Sequence, residues 1–175
     1  MYSFWLFFIY YLNFIFNLKK EIYLKILFLL SLIVLITAYF VQYLLDYQPC
    51  NLCILERVPY ALTLIILILN FKFKKDQVFY SVLLVLIFTF SILISLYHLG
   101  IEQGIFDESS VCESKNIGLI TKEELLRSLQ EIRLSCKDVA FKIFGFSLTT
   151  YNIIVSALMF FISTKIYLIN NGLKK

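Results

Sequence analysis

The run Val78-Phe-Tyr-Ser-Val-Leu-Leu-Val-Leu-Ile-Phe-Thr-Phe-Ser-Ile-Leu-Ile-Ser-Leu96 carries no charge, no glycine and no proline. About 30 Å of hydrocarbon, at about 1.5 Å of rise per residue, calls for about 20 apolar residues in a helix. This stretch meets that length. Working outward, three more stretches meet or approach it. One runs from about Ile26 to Leu45 and is also uncharged. Another runs from about Val58 to Phe71, with a start that reaches back toward Cys50. The last covers about Leu148 to Ile169, and its Lys165 lies near the end, where it can snorkel to the headgroups. The expectation is an all-α membrane protein, a four-transmembrane-helix bundle with two external loops that carry the cysteines.

Composition agrees. Of the 175 residues, 61% are hydrophobic and 16% charged, against about 45–50% and about 25% in soluble domains. Mean hydropathy is +0.84. A cytosolic globular fold and a disordered chain are both excluded on these figures. Net charge is +4, but the lysines sit in clusters at the ends of apolar runs and form no stripe for nucleic acid. The partner that composition implies is the lipid bilayer.

Residues 1–18 form a further apolar stretch rich in aromatics, ending at Lys19 and Lys20. It has neither the basic start nor the small-residue cleavage site of a secretory signal. Asn13 and Asn17 suit an interfacial helix. Residues 1–20 are therefore read as an N-terminal extension, interfacial or a product of a misassigned start, with a fifth span as the alternative. Residues 21–175 are read as a single four-span domain with an external loop at 100–147.

Lysine placement orients the spans. Lys19, Lys20 and Lys25 precede the first, Lys72, Lys74 and Lys75 join the second and third, and Lys174 and Lys175 end the chain. The connection from Asp46 to Arg57 has Arg57 alone. Both termini and the 72–77 turn are thus expected in the cytoplasm, with both cysteine-bearing connections outside. Within the long loop, Thr121-Lys-Glu-Glu124 has capping-box spacing and Leu125, Leu129 and Ile132 follow on one face. A short amphipathic helix is expected there.

All four cysteines, Cys50, Cys53, Cys112 and Cys136, fall in the two outward connections. Filler cysteines would scatter through the helices. Three readings stand: structural disulfides, a zinc site, and redox chemistry. For zinc, the separation of Cys112 from Cys136 makes a poor second clip. For redox chemistry, Cys-x-x-Cys at a helix start stabilises a thiolate, and Arg57, four residues after Cys53, shares its helical face and stays charged. A dithiol that passes electrons onward needs an acceptor. No G-x-G-x-x-G exists here for a flavin or nicotinamide, so a lipid-soluble quinone is the acceptor within reach.

Gln48-Pro-Cys50-Asn-Leu-Cys53-Ile-Leu-Glu-Arg57 resembles the P-C-x-L-C-x-x-x-R signature of the disulfide bond formation protein B (DsbB) family. Tyr97-His98-Leu-Gly-Ile-Glu102 is similar to that family's Y-H-x-G-x-E segment, and Gly145-Phe-Ser-Leu-Thr-Thr-Tyr151-Asn152 to its G-x-S-x-x-x-W-N segment, with Tyr151 replacing Trp. The resemblance covers roughly residues 25–170. It implies a four-span inner-membrane quinone reductase that reoxidises a periplasmic DsbA-like dithiol oxidase.

The resemblance also implies roles. Cys50 and Cys53 would be the quinone-coupled pair, with Cys53 nearest the ring and Arg57 its electrostatic partner. Cys112 and Cys136 would be the loop pair, Cys112 taking the mixed disulfide with the partner. His98 would sit near the quinone, which is ubiquinone or menaquinone, and no metal is expected. The alternatives are a small membrane protein with structural disulfides or a cysteine-bound metal, and a vitamin K epoxide reductase-like protein. In the latter the quinone-linked Cys-x-x-Cys lies late in the bundle, whereas here it precedes the second span.

Overall fold

The computed structural model describes residues 19–73, 76–107, 112, 135–137, 142–143 and 145–172. The N-terminal apolar stretch and the helix expected from Thr121 lie outside these residues. The described elements, in chain order, are α1 (Lys20–Tyr43), α2 (Asn51–Leu55), α3 (Val58–Lys72), α4 (Gln77–Glu102), β1 (Lys142–Ile143), β2 (Phe146–Ser147) and α5 (Leu148–Asn170). Among the described residues, four segments are long and apolar enough to cross a membrane: α1, α2 with α3, α4, and α5. The chain is an all-helical membrane bundle, to which β1 and β2 add a two-residue antiparallel ladder pairing Lys142 with Ser147 and Ile143 with Phe146.

Boundaries depart from the sequence reading in two informative places. The second span is two helices, a short α2 and then α3, joined by a turn at Glu56 and Arg57. Pro59 explains the join, because a proline cannot donate to a preceding helical turn and suits a helix start. The third span runs on past Leu96 to Glu102. Its end therefore places Gly100 and Glu102, expected at the start of the loop at 100–147, on the same helix as Tyr97 and His98.

Packing runs in a closed ring: α1 against α3, α3 against α4, α4 against α5, and α5 back against α1, with α4–α5 the most extensive contact. The core joins Leu27 of α1, Leu67 of α3, Leu84 and Phe88 of α4, and Met159 and Ile166 of α5, all fully buried. Outward faces stay apolar, as with Phe161, which is 67% exposed. A largely apolar exterior of this kind suits lipid and is poorly tolerated by water.

Lipid gives no hydrophobic drive for helices to associate, so contacts rely on close packing and hydrogen bonds between small polar residues. Ser91 and Ser156 hydroxyls meet at 2.9 Å, Tyr60 reaches Ser156 at 2.9 Å and also bonds Asn152, and the Asn152 amide donates to Ser95 Oγ at 2.7 Å. This ladder ties α3, α4 and α5 together and leads upward to the cysteine-bearing end.

Candidate active site

Pro49 and Cys50 form the approach to α2, and Cys50 is its N-cap: the Cys53 backbone N–H donates to Cys50 Sγ at 3.1 Å. A Cys-x-x-Cys wrapped on a first helical turn must bring its sulfurs together, and they stand 2.6 Å apart. Cys50 is buried and Cys53 half-buried. The pair needs little movement to close a disulfide. Cys112 and Cys136 are bonded to each other, with Cα atoms 5.4 Å apart, within the usual disulfide range. Both are buried in one cluster with Cys50, Leu52 and Ile101, against which Cys53 and Tyr97 pack. Two dithiol pairs that are distant in sequence are neighbours in space.

The end of α4 supplies the imidazole. His98 is 1% exposed, with Nε2 at 3.5 Å from Cys50 Sγ. Its Nδ1 lies 3.1 Å from Glu56 Oε1 and 3.2 Å from Thr149 Oγ1. Thr149 donates its own hydroxyl proton to Glu102 Oε1 at 2.6 Å, so it is free to accept at its oxygen. Both Nδ1 partners are then acceptors, which assigns a proton to Nδ1; Nε2 faces sulfur, where it accepts the thiol proton and, once protonated, donates to the Cys50 thiolate. Glu102 Oε1 lies 3.8 Å from Nε2, too far for a hydrogen bond.

Anion-stabilising groups therefore gather on Cys50. The Cys53 thiol beside it, then His98 and the Cys53 backbone N–H, hold the Cys50 thiol down to about 5 against the cost of burial. Arg57 is aimed elsewhere: Nη1 donates to Gln42 Oε1 at 2.5 Å, and the guanidinium lies 5.1 Å above the Tyr39 ring. These contacts anchor it to α1 at the mouth of a cavity of about 280 Å³. Ile33, Val34, Val41 and Val155 give that cavity apolar walls, while Cys50, Cys53, Arg57 and His98 line it with the reactive groups.

The structure thus brings Cys50, Cys53, His98 and Arg57 around one cavity, with Cys112 and Cys136 packed on the first two. Sequence reasoning passed over Glu56, Thr149, Gln42 and Tyr39. Glu56 had a signal: it is a carboxylate beside an apolar span, and ionisable residues at membrane depth mark functional sites. Gln42 and Tyr39 had none, because only the packing of α1 brings them to Arg57. Gly100 has a local reason. The Phe106 ring lies over it and beside Tyr97, where a Cβ would collide, and the Ile105 N–H donates to the Gly100 carbonyl at 2.8 Å.

A family model described as disulfide bond formation protein DsbB matches residues 20–166. Protein RP370 of Rickettsia prowazekii (strain Madrid E) is 32% identical over 139 residues, covering 75% of this chain and 78% of its own length. No solved structure matches the chain.

Proposed function

Because the chain belongs to the disulfide bond formation protein DsbB family, we propose that it is a membrane quinone reductase that reoxidises a periplasmic DsbA-like dithiol oxidase. Family membership makes it a multi-pass membrane protein of disulfide-bond formation. The finer reading is supported above all by one observation: the Cys50–Cys53 pair touches both the cavity and the Cys112–Cys136 disulfide. Lys19, Lys20, Lys25 and Lys72, at the opposite end, favour cytoplasmic termini and periplasmic cysteines.

The cavity fits a quinone head. It is near the lower end of small-molecule sites in volume, and its surface is mostly apolar with polar groups at the Cys50 and Arg57 side. Val34, Val41 and Val155 would hold the ring and Arg57 would face a carbonyl. When bound, a quinone supplies the acceptor for two electrons and two protons.

The chain's own residues carry out the exchange. A thiolate of the reduced partner attacks Cys112 Sγ and releases Cys136; the partner's second thiol then displaces Cys112, leaving an oxidised partner and a Cys112/Cys136 dithiol. Cys136 attacks Cys50 of a closed Cys50–Cys53 disulfide, and Cys112 resolves that mixed species. Cys50 leaves as the thiolate, and a proton given up by the attacking loop thiols is held on His98 Nε2, which becomes a donor toward Cys50. Cys50 and Cys53 would close again as their two electrons, the Cys53 proton and the proton held on His98 pass to the acceptor. A DsbA-type oxidant has a potential of about −120 mV, and about 30 mV equals about 1.4 kcal/mol for two electrons, so a strongly oxidising acceptor is required.

The test is anaerobic turnover of protein in vesicles with a reduced DsbA-like partner and either a ubiquinone or a menaquinone analogue. Partner oxidation should depend on quinone and stop in Cys53→Ser. Cys112→Ser should lose the mixed disulfide trapped with a partner lacking its resolving cysteine. Partner oxidation that proceeds anaerobically without quinone would refute the reading.

A further inference from the structure

Cys50, Cys53 and His98 present three ligand atoms within 4.8 Å of one another. We propose that in the dithiol state these three residues form a binding site for a thiophilic divalent cation such as Zn(II), with the fourth coordination position open to the cavity. Metal occupancy would hold the pair reduced. The site exists only while the pair is open, because a disulfide removes both thiolate ligands.

Distances and donor chemistry agree with this. Zinc–sulfur bonds of about 2.3 Å and zinc–nitrogen bonds of about 2.05 Å at tetrahedral angles place sulfur about 3.6 Å from nitrogen and the two sulfurs about 3.8 Å apart. Cys50 Sγ already lies 3.5 Å from His98 Nε2. The sulfurs at 2.6 Å must part by a rotation of Cys53, the half-buried member of the pair. Two thiolates and one imidazole are the soft and borderline donors that zinc selects over hard cations.

The environment of His98 supplies the second argument. A metal-bound histidine donates its other ring N–H to a carboxylate or similar acceptor, which fixes the tautomer and turns the lone pair to the metal. His98 Nδ1 has Glu56 at 3.1 Å, backed by Thr149 at 3.2 Å. The cavity beside Arg57 leaves room for a water as fourth ligand, as in open zinc sites. Binding displaces the proton of the Cys53 thiol and the one shared by the Cys50–His98 pair, and moves no electrons. Spacing along the sequence could not reveal this site, since its third ligand arrives 45 residues after Cys53.

The experiment uses Co(II) as a spectroscopic probe, and Zn(II) by competition, on the full chain carrying Cys112→Ser and Cys136→Ser, reduced and anaerobic. One equivalent of Co(II) should give a thiolate-to-cobalt band with the visible spectrum of a tetrahedral site, and Zn(II) should abolish both. Oxidising the pair should release the metal. Cys50→Ser should leave about half the thiolate band, one sulfur of two. Glu56→Gln should weaken Zn(II) about 10–100-fold through His98, and His98→Ala should weaken it further. A reduced protein without the band, or Zn(II) affinity unchanged in His98→Ala, would overturn the proposal. No quinone or partner enters the measurement, so its failure leaves the redox reading untouched.

Discussion

At the end of the bundle where α1 and α4 begin, the helices meet through Leu27, Leu67, Leu84 and Ile166, all fully buried and all aliphatic. At the opposite end the same bundle closes over His98, Glu56 and Thr149, with Glu102 at the edge of the group. The aliphatic end is held by many equivalent contacts, each small. The polar end is held by few, and every one has a specified partner. Truncating a leucine leaves a void, whereas removing one polar group strands another in a place without water. Stability is therefore expected to reside in the first region and chemistry in the second, and substitutions can separate them.

The largest effect should come from Phe88→Ala. Phe88 is fully buried and meets the Tyr60 ring edge-on at 6.1 Å. Its loss should cost about 3 kcal/mol, the lower end of phenylalanine truncations, since lipid rather than water receives the unfolded helices. Reversible unfolding in detergent reads this, and turnover per folded molecule should hold. A drop in turnover without a drop in stability would erase the division between the two ends.

Glu56→Gln sharpens the contrast from the other side. Gln keeps the shape but can turn its amide to donate, so His98 Nδ1 no longer has a fixed acceptor. Formation of the Cys50–Cys53 disulfide should slow about tenfold or more, within the effect of positioned proton transfer, and its pH profile should shift. Stability should change little. An unaltered pH profile would reduce Glu56 to a packing role.

Arg57→Lys is smaller still. Lysine keeps the charge but cannot hold Gln42 and cover Tyr39 together. The apparent KM for quinone should rise several-fold with kcat little changed. An unchanged KM would leave Arg57 as an anchor between α3 and α1.

The mildest prediction concerns pH. Cys50 is lowered from 9.0 to about 5, so the folded thiol loses its proton first. The stabilisation this gives the reduced protein is complete above about 9, shrinks as pH falls, and is gone below about 5. Alkylation of Cys50 by a small reagent should stay level from pH 8 to 6 and fall through about 5. A midpoint near the ordinary thiol value would show that neither the Cys53 thiol nor His98 favours its anion.

Sequence alone determined the four spans found among the described residues, because length and apolarity suffice where about 30 Å of hydrocarbon must be crossed. It also singled out the six residues Cys50, Cys53, Arg57, His98, Cys112 and Cys136, since their order carries the family resemblance. Helix ends were less legible. The break at Glu56 and Arg57 and the extension of α4 to Glu102 depend on contacts at the bundle end, not on hydropathy. Only the tertiary structure decided which sulfur gathers the anion-stabilising groups: Arg57 turns to Gln42 and Tyr39, while His98 crosses from another helix to face Cys50. Hydropathy is a property of each segment and survives without its neighbours. A hydrogen bond between residues on different helices exists only once those helices have packed.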